Sequence, residues 1–516
     1  MTPADVEDPL DELVPTHTRG IPAKVISAYA VLTSQVLYVI VVTAYLVHRV
    51  GEEVYGAFAI VLAVMSAVRL LDLGVGPTTA RYVAAAHTRG ELNRVVATSL
   101  TFLTGVAVAG SVVSLPFALV GESLFGHAPG LEGALLVGCI GSCLLLPLGV
   151  FVNVLYGLDR IVARNLILLA RPIAALAGII AVVEAGGGLF AIVLASVSAE
   201  VAVVGTQMLY TLITVPDLRP RRADVSRMLM RQLAPFSAGM LALSVAAQIT
   251  YYSGNLIVGA ALGTAAVAVF SVASRLVEGV TQLLTQFGDV FLPSFARLTA
   301  RGHHEDARSI LVGGTTVVLV VGYPALCVLV GLGAPLIDWW VGDAFDDAWL
   351  PLALLSGGLA CTAPIRFGVL HAIGAAKHAV IARVAVLEAV ANLALGIVLV
   401  NLVGMWGVAL AIFMSLFVSN GLVIARIVYS QVGLSTWHDY HRRVLLALVP
   451  LLPFAAVLHL LVGPAVEGHW PLLVLACAAA YVASVLAAAV VLGELPRLRG
   501  LVMRAVGARP SRATTA

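Results

Sequence analysis

Apolar residues run through this chain in long blocks, each closed by a short polar stretch. A membrane-spanning helix needs about 20 predominantly apolar residues. Fourteen such blocks start near residues 25, 55, 95, 131, 165, 187, 235, 264, 309, 351, 379, 403, 444 and 471. The polar stretches between them are too short to hold an inserted soluble domain. The pattern predicts an all-α polytopic membrane protein with 14 transmembrane helices.

Basic residues give an independent check on that count. Of the 30 Lys and Arg, 24 fall in the even-numbered loops and the two tails, and the odd-numbered loops hold only Arg49. A missed or extra span would scramble this alternation. Cytoplasmic loops carry the excess of Lys and Arg, so both termini are expected in the cytoplasm. The opening stretch MTPADVEDPLDELVP is acidic and contains proline. It lacks the basic start of a signal peptide and is expected to be a cytoplasmic tail.

The chain also repeats itself. Gln35 and Tyr38 correspond to Gln248 and Tyr251, each 213 residues on, and YGLDR at 156–160 corresponds to IGAAK at 373–377, 217 residues on. ARYVAAAHTRG after the second span pairs with ARLTARG after the eighth. One nearly constant offset implies two pseudo-symmetric six-helix lobes, 25–212 and 235–425, in the same membrane orientation. The remaining segments are a cytoplasmic tail at 1–24, an amphipathic five-arginine linker at 213–234, two extra C-terminal helices within 426–492, and a basic tail at 493–516.

Composition removes several function classes. The chain is 60% hydrophobic and 11% charged, where soluble domains carry about 25% charge. A net charge of +2 implies no nucleic-acid partner. The lysines are Lys24 and Lys377, and neither lies in a phosphate-binding loop motif, so no intrinsic ATPase is expected. Cys139, Cys143, Cys327, Cys361 and Cys477 all sit in apolar runs and read as small core residues. No metal-ligand spacing, cofactor motif or catalytic loop appears. The expectation is a transporter that is not an enzyme and carries no metal or cofactor. The acidic, aromatic loop IDWWVGDAFDDAWLP at 337–351 is expected at the outer face, with its tryptophans at the membrane interface.

Charges inside spans carry the most information, because each central one costs about 2.5–3.5 kcal/mol on insertion scales. The eighth span is the clearest case. Ser271, Arg275, Glu278, Gln282, Gln286 and Asp289 step by three or four and share one helical face. The seventh span repeats the device with Ser237, Ser244, Gln248, Tyr251 and Asn255. Two such stripes would wall a hydrophilic cavity, although Arg275 and Glu278 could equally pair with each other. In the second span, LLDLGVGPTTARY at 70–82 interrupts the helix with two glycines and Pro77.

At RLLDLGVGPTTARYVAA and FSVASRLVEGVTQLLTQFGDVFLPSFARL the chain resembles the Wzx-like oligosaccharide-lipid flippases. These are polysaccharide-biosynthesis exporters of the multidrug/oligosaccharidyl-lipid/polysaccharide superfamily. The similarity runs over about 25–430. It implies two lobes that alternate between inward and outward openings, in a bacterial cytoplasmic membrane. It also implies a substrate of sugars joined through diphosphate to undecaprenol, with membrane lipids and polysaccharide-assembly proteins as partners. On that reading Arg69, Arg275 and Arg366 are candidate phosphate contacts. Gln35, Gln248, Tyr251, Asn255, Gln282 and Gln286 are candidate sugar contacts. Asp72, Glu200, Glu278, Asp289 and Glu388 are candidate ion-coupling carboxylates. A lipid II-type flippase and a multidrug or cation antiporter of the same superfamily are the alternatives, and a membrane glycosyltransferase is a third.

Overall fold

In lipid every backbone N–H and C=O must find its partner within the protein, which leaves helices as the natural solution for these apolar blocks. A computed structural model describes residues 21–72, 74–86, 88–125, 128–215, 218–231, 253–289, 304–374, 378–431 and 433–493. Among them the regular structure is helical, with 12 helices long and apolar enough to cross a membrane, or 13 when a bent pair is counted as one span. The protein is therefore a multi-span membrane protein. The expected seventh span falls mostly on residues outside the described set, and its described end is the short apolar helix Ser253–Leu262. The linker at 213–234 is described only in part, and the two terminal tails lie almost wholly outside the described residues.

The chain forms two compact units, Met1–Ser271 with Val400–Met405, and Val272–Leu399 with Trp406–Ala516. The first contains α1 (Ile21–Val50), α2 (Glu52–Arg69), α3 (Val75–Ala85), α4 (Arg89–Phe125), α5 (Leu131–Gly157), α6 (Ile161–Leu168), α7 (Ala170–Glu184), α8 (Leu189–Thr214) and α9 (Ser253–Leu262). The long helix α10 (Thr264–Asp289) starts in this unit and ends in the second.

Helix α5 packs against α2, α3, α4 and α8. Small residues make this possible, because spans without a hydrophobic drive between them associate through close backbone approach. A Cβ at Gly138 would lie 3.0 Å from Met65 and Val61 of α2. One at Gly141 would lie 2.2 Å from Val197 of α8, and one at Gly157 2.6 Å from the Ala80 carbonyl oxygen of α3. The buried residues Val95, Val96, Cys143, Leu146, Val150 and Val154 fill the space between these notches.

The tightest notch is Gly56 in α2. A Cβ there would stand 1.9 Å from the backbone oxygen of Thr264, at the start of α10. Backbone cannot step aside as a side chain can. Gly56→Val should therefore cost at least about 1–3 kcal/mol by overpacking, read as a lower unfolding temperature in detergent. Gly105→Ala meets nothing within 4 Å and should leave that temperature unchanged or slightly raised.

Helix α2 ends where the sequence inserts its glycines. Leu70–Asp72 tighten into a 3-10 turn, Gly74 takes a left-handed φ of 72°, and α3 begins at Val75. Pro77 lies in the first turn of α3, where its missing N–H is not needed. Both Asp72 carboxylate oxygens accept from the Gly76 N–H, at 3.2 and 3.1 Å.

The second unit contains α11 (His304–Val317), α12 (Tyr323–Gly331), α13 (Gly333–Val341), α14 (Trp349–Thr362), α15 (Arg366–Gly374), α16 (His378–Val403) and α17 (Met405–Leu416) apart from the Val400–Met405 stretch, α18 (Ala425–Gln431), α19 (Arg442–Val457) and α20 (Trp470–Val491). Pro364 sits in the turn between α14 and α15, and the two helices meet at 43°. Four π-helical stretches, Val318–Gly322, Phe417–Ile424, Thr436–His441 and Leu458–Val462, widen turns in this unit. The loop tryptophans divide. Trp339 is exposed, whereas Trp340 is buried. Trp349 stacks on His459 at 4.1 Å between ring centres and donates to the Val330 carbonyl. Packing inside the protein thus claims two of the three residues expected at the membrane interface.

Candidate functional site

Unit 1 gathers three in-span charges from three helices. Glu200 of α8 accepts from Arg69 of α2 at 2.9 Å through Oε2 and from Arg171 of α7 at 3.4 Å through Oε1. The carboxylate side chain is 14% exposed, while Arg69 and Arg171 are 41% and 33% exposed. One half-buried anion is thus covered by two more open cations. Arg69 and Glu200 were candidates from sequence, on separate roles. Arg171 was visible only as an in-span charge. The 29-residue separation from Glu200 carries no local signal, so tertiary packing alone reveals the link.

The same unit ties its helix ends with polar contacts. Lys24 pairs with Asp159, Asn165 donates to Ser27 at 3.1 Å, and Gln207 donates to the Arg164 carbonyl at 3.0 Å. Asp159 has a left-handed φ of 59°. It ends α5 as glycine commonly does, with the Arg160 N–H bonding back to the Leu155 oxygen at 2.8 Å. Opposite, Arg49 pairs with Glu184 at 3.2 Å, and Tyr45 donates to the same carboxylate at 3.0 Å. The one basic residue on the poorly charged side of the sequence pattern is thus neutralised locally.

Along α10, Arg275 pairs with Glu278 at 2.7 Å, and Gln282 donates to the other Glu278 oxygen at 3.3 Å. The spacing therefore places these three on one face, where they bind one another. Asn255 is buried and accepts from Ser271 at 3.2 Å. Gln286 and Asp289 belong to α10, but their side chains lie outside the described residues, as do Gln248 and Tyr251 entirely. Gln35 is half-buried on α1, and Arg366 is half-buried as the first residue of α15, beyond the Pro364 bend. Asp72 is engaged at the start of α3, as described above.

Glu388 on α16 is 9% exposed. Its Oε2 accepts from Ser419 at 2.7 Å and Asn420 at 3.0 Å. Adding the 217-residue offset of the sequence repeat to Arg171 gives position 388. Arg171 and Glu388 each tie their own span to the one that follows it.

Unit 2 also carries a half-open apolar cavity of about 550 Å³. It lies between the spans carrying α12, α14, α17 and α19. Its wall includes Ala353, Phe417, Gly421, Trp437, His441 and Leu452. Two of the π-helical stretches, Phe417–Ile424 and Thr436–His441, contribute to that wall. Such wide turns shift side-chain register and recur at functional sites. Along its last long helix the cavity runs from Trp437 to Ala455. That is a rise of about 27 Å at 1.5 Å per residue, close to the roughly 30 Å hydrocarbon thickness of a bilayer. Arg442 and Arg443 lie between the lining residues His441 and Val444, near the Trp437 end but not themselves in the wall, and Arg443 donates to Thr316 at 3.0 Å.

Comparison with solved structures shows the fold. The inward closed conformation of the lipid II flippase MurJ matches with a TM-score of 0.69 at 12% identity, over 91% of this chain and 99% of that one. An inward-facing multidrug resistance MATE family transporter of the MOP superfamily matches with a TM-score of 0.61 at 16% identity, over 79% of this chain and 98% of that one. A MOP superfamily transporter from Pyrococcus furiosus matches with a TM-score of 0.60 at 16% identity, over 82% and 98%. No curated protein matches the sequence. A family model described as polysaccharide biosynthesis protein matches residues 49–350, more than half of the chain, and so this membrane protein belongs to the polysaccharide biosynthesis protein family.

Proposed function

We propose that the protein moves an undecaprenyl-diphosphate-linked oligosaccharide from the inner to the outer leaflet of a bacterial cytoplasmic membrane by alternating access. Fourteen spans, as two six-helix lobes and a final pair, would carry this cycle, with both termini in the cytoplasm. The observation that carries the reading is the long apolar cavity of unit 2, with Arg442 and Arg443 on the helix that walls it, near its Trp437 end. An amphiphile with a long hydrocarbon tail and an anionic head fits that arrangement. The polyprenyl tail would occupy the cavity, and the distribution of basic residues assigns the arginine end to the cytoplasmic side. Membership of a polysaccharide-biosynthesis family supports a sugar on the head.

The energetics are compatible with a carrier that hydrolyses nothing. Moving an anionic diphosphate outward runs down a potential that is negative inside, worth about 2.3 kcal/mol per charge per 100 mV. Polysaccharide-assembly proteins would receive the flipped product.

A peptidoglycan precursor is the second reading. The MurJ chain aligns over 91% of this chain against 79% for the MATE transporter. Depleting the protein in its host separates the two. The first reading predicts loss of surface polysaccharide with accumulation of lipid-linked oligosaccharide in the inner leaflet, while cell-wall synthesis continues. The second predicts arrested cell-wall synthesis. Unchanged amounts of both products would count against each.

A further inference from the structure

We infer that Arg69 and Arg171 form a phosphate-binding site in unit 1, additional to the arginines beside the unit 2 cavity, and that Glu200 is a built-in counter-anion which the substrate phosphate displaces. The inference rests on the flippase reading and assigns one site within it.

The charges of the cluster do not balance. Arg69, Arg171 and Glu200 each lie within a candidate span, 52–72, 161–184 and 189–214. Together they carry a net charge of +1. A purely structural ion pair inside a membrane needs one cation per anion, because each extra charge is costly there. Among the described residues neither arginine has another hydrogen bond or ion pair. The surplus cation is therefore unexplained by packing.

Each Glu200 oxygen takes one guanidinium, and the two guanidiniums are more exposed than the carboxylate they share. Each fork donates to Glu200 through one nitrogen, Nη2 of Arg69 and Nη1 of Arg171. An arginine fork offers five N–H donors and prefers bidentate contact with phosphate. The Arg171 contact, at 3.4 Å, is loose for a charge-assisted bond. A phosphate oxyanion reaching the exposed side of both forks would gain bidentate geometry. It would also cancel the surplus charge. The two arginines come from α2 and α7, so a bound phosphate would bridge two helices through a group that Glu200 now bridges alone.

Counter-anion exchange has a signature that a structural triad lacks. Removing Glu200 must strengthen anion binding, because it removes the competitor. The test uses the full chain in lipid nanodiscs, with affinity measured for farnesyl diphosphate, inorganic diphosphate and phosphatidylglycerol. Farnesyl diphosphate should bind. Arg69→Gln and Arg171→Gln should each weaken it about tenfold, the equivalent of about 1.4 kcal/mol. Arg171→Lys should fall between, since it keeps the charge and loses the fork. Glu200→Gln should bind about three to ten times more tightly, from loss of the competing carboxylate. Unchanged or weaker binding by Glu200→Gln at wild-type thermal stability overturns the displacement step. Wild-type affinity in both arginine variants overturns the site.

Should Glu200→Gln fail to fold, Arg171→Lys still decides: wild-type affinity in that variant overturns the forked contact. Equal response to phosphatidylglycerol would reassign the site to a bilayer headgroup, and so overturn the assignment to substrate. No transport step enters these readings. A protein that shows the contrast yet flips nothing would retain the site and lose the proposed function. One that flips with unaltered binding in every variant would lose the site alone.

Discussion

Tryptophan at Gly421 or Ala353 is expected to lower transport of a long-chain lipid-linked saccharide by at least about tenfold. Each buried methylene contributes about 0.8 kcal/mol, and 1.4 kcal/mol is a factor of ten. Excluding only two or three methylenes of a tail from the cavity reaches that loss. Both positions line the 550 Å³ space. A Cβ at Gly421 would meet Phe417 at 3.7 Å and Cys361 at 3.9 Å, which is ordinary contact, so the backbone need not move. A substrate with a tail of about three isoprene units is too short to depend on the whole cavity and should retain most of its rate. Equal rates of the two substrates in the variants would separate the cavity from the tail.

Glu388→Ala is expected to cost about 1–3 kcal/mol of stability, because it removes the acceptor of the buried Ser419 hydroxyl and leaves Asn420, among the described residues, only its 3.0 Å bond to Ser419. Ser419 is itself buried and Asn420 half-buried, so water does not readily replace the carboxylate. Glu388→Gln keeps an acceptor oxygen of the same reach and should cost no more than about 1 kcal/mol. Thermal unfolding in detergent reads the order, wild type above Gln above Ala. An alanine variant as stable as the wild type would contradict the tie between α16 and the span that follows. The glutamine variant also isolates chemistry from structure. If it folds normally and loses transport, the carboxylate acts in ion coupling, the role its sequence context suggested.

Much of the fold was legible because the bilayer constrains it so strongly. Length and hydropathy alone locate a span, and the basic residues test the count. The breaks in helices were legible where glycine or proline causes them, as at Gly74 and Pro364. The π-helical stretches were not. They depend on how neighbouring spans pack, and no residue type at 417–424 or 458–462 demands them.

The candidate site was legible to the extent that its contacts are local. Arg275, Glu278 and Gln282 lie within two turns of one helix, so spacing predicts their meeting. Arg69, Arg171 and Glu200 lie on three helices, separated by up to 131 residues. Their charges are visible in the sequence, but which charge faces which is set by helix rotation and packing. The apolar cavity was invisible for a related reason. A residue lining a void and a residue filling a core have the same hydrophobicity.

Lipid flipping can be measured directly. The direct test reconstitutes the purified protein in liposomes containing a fluorescent undecaprenyl-diphosphate-linked oligosaccharide, with an impermeant quencher outside. Flipping predicts that quenching proceeds beyond the half of the label initially in the outer leaflet, and that it does so faster with protein than without. Quenching that stops at that half, at the same level as in protein-free liposomes, would contradict the claim.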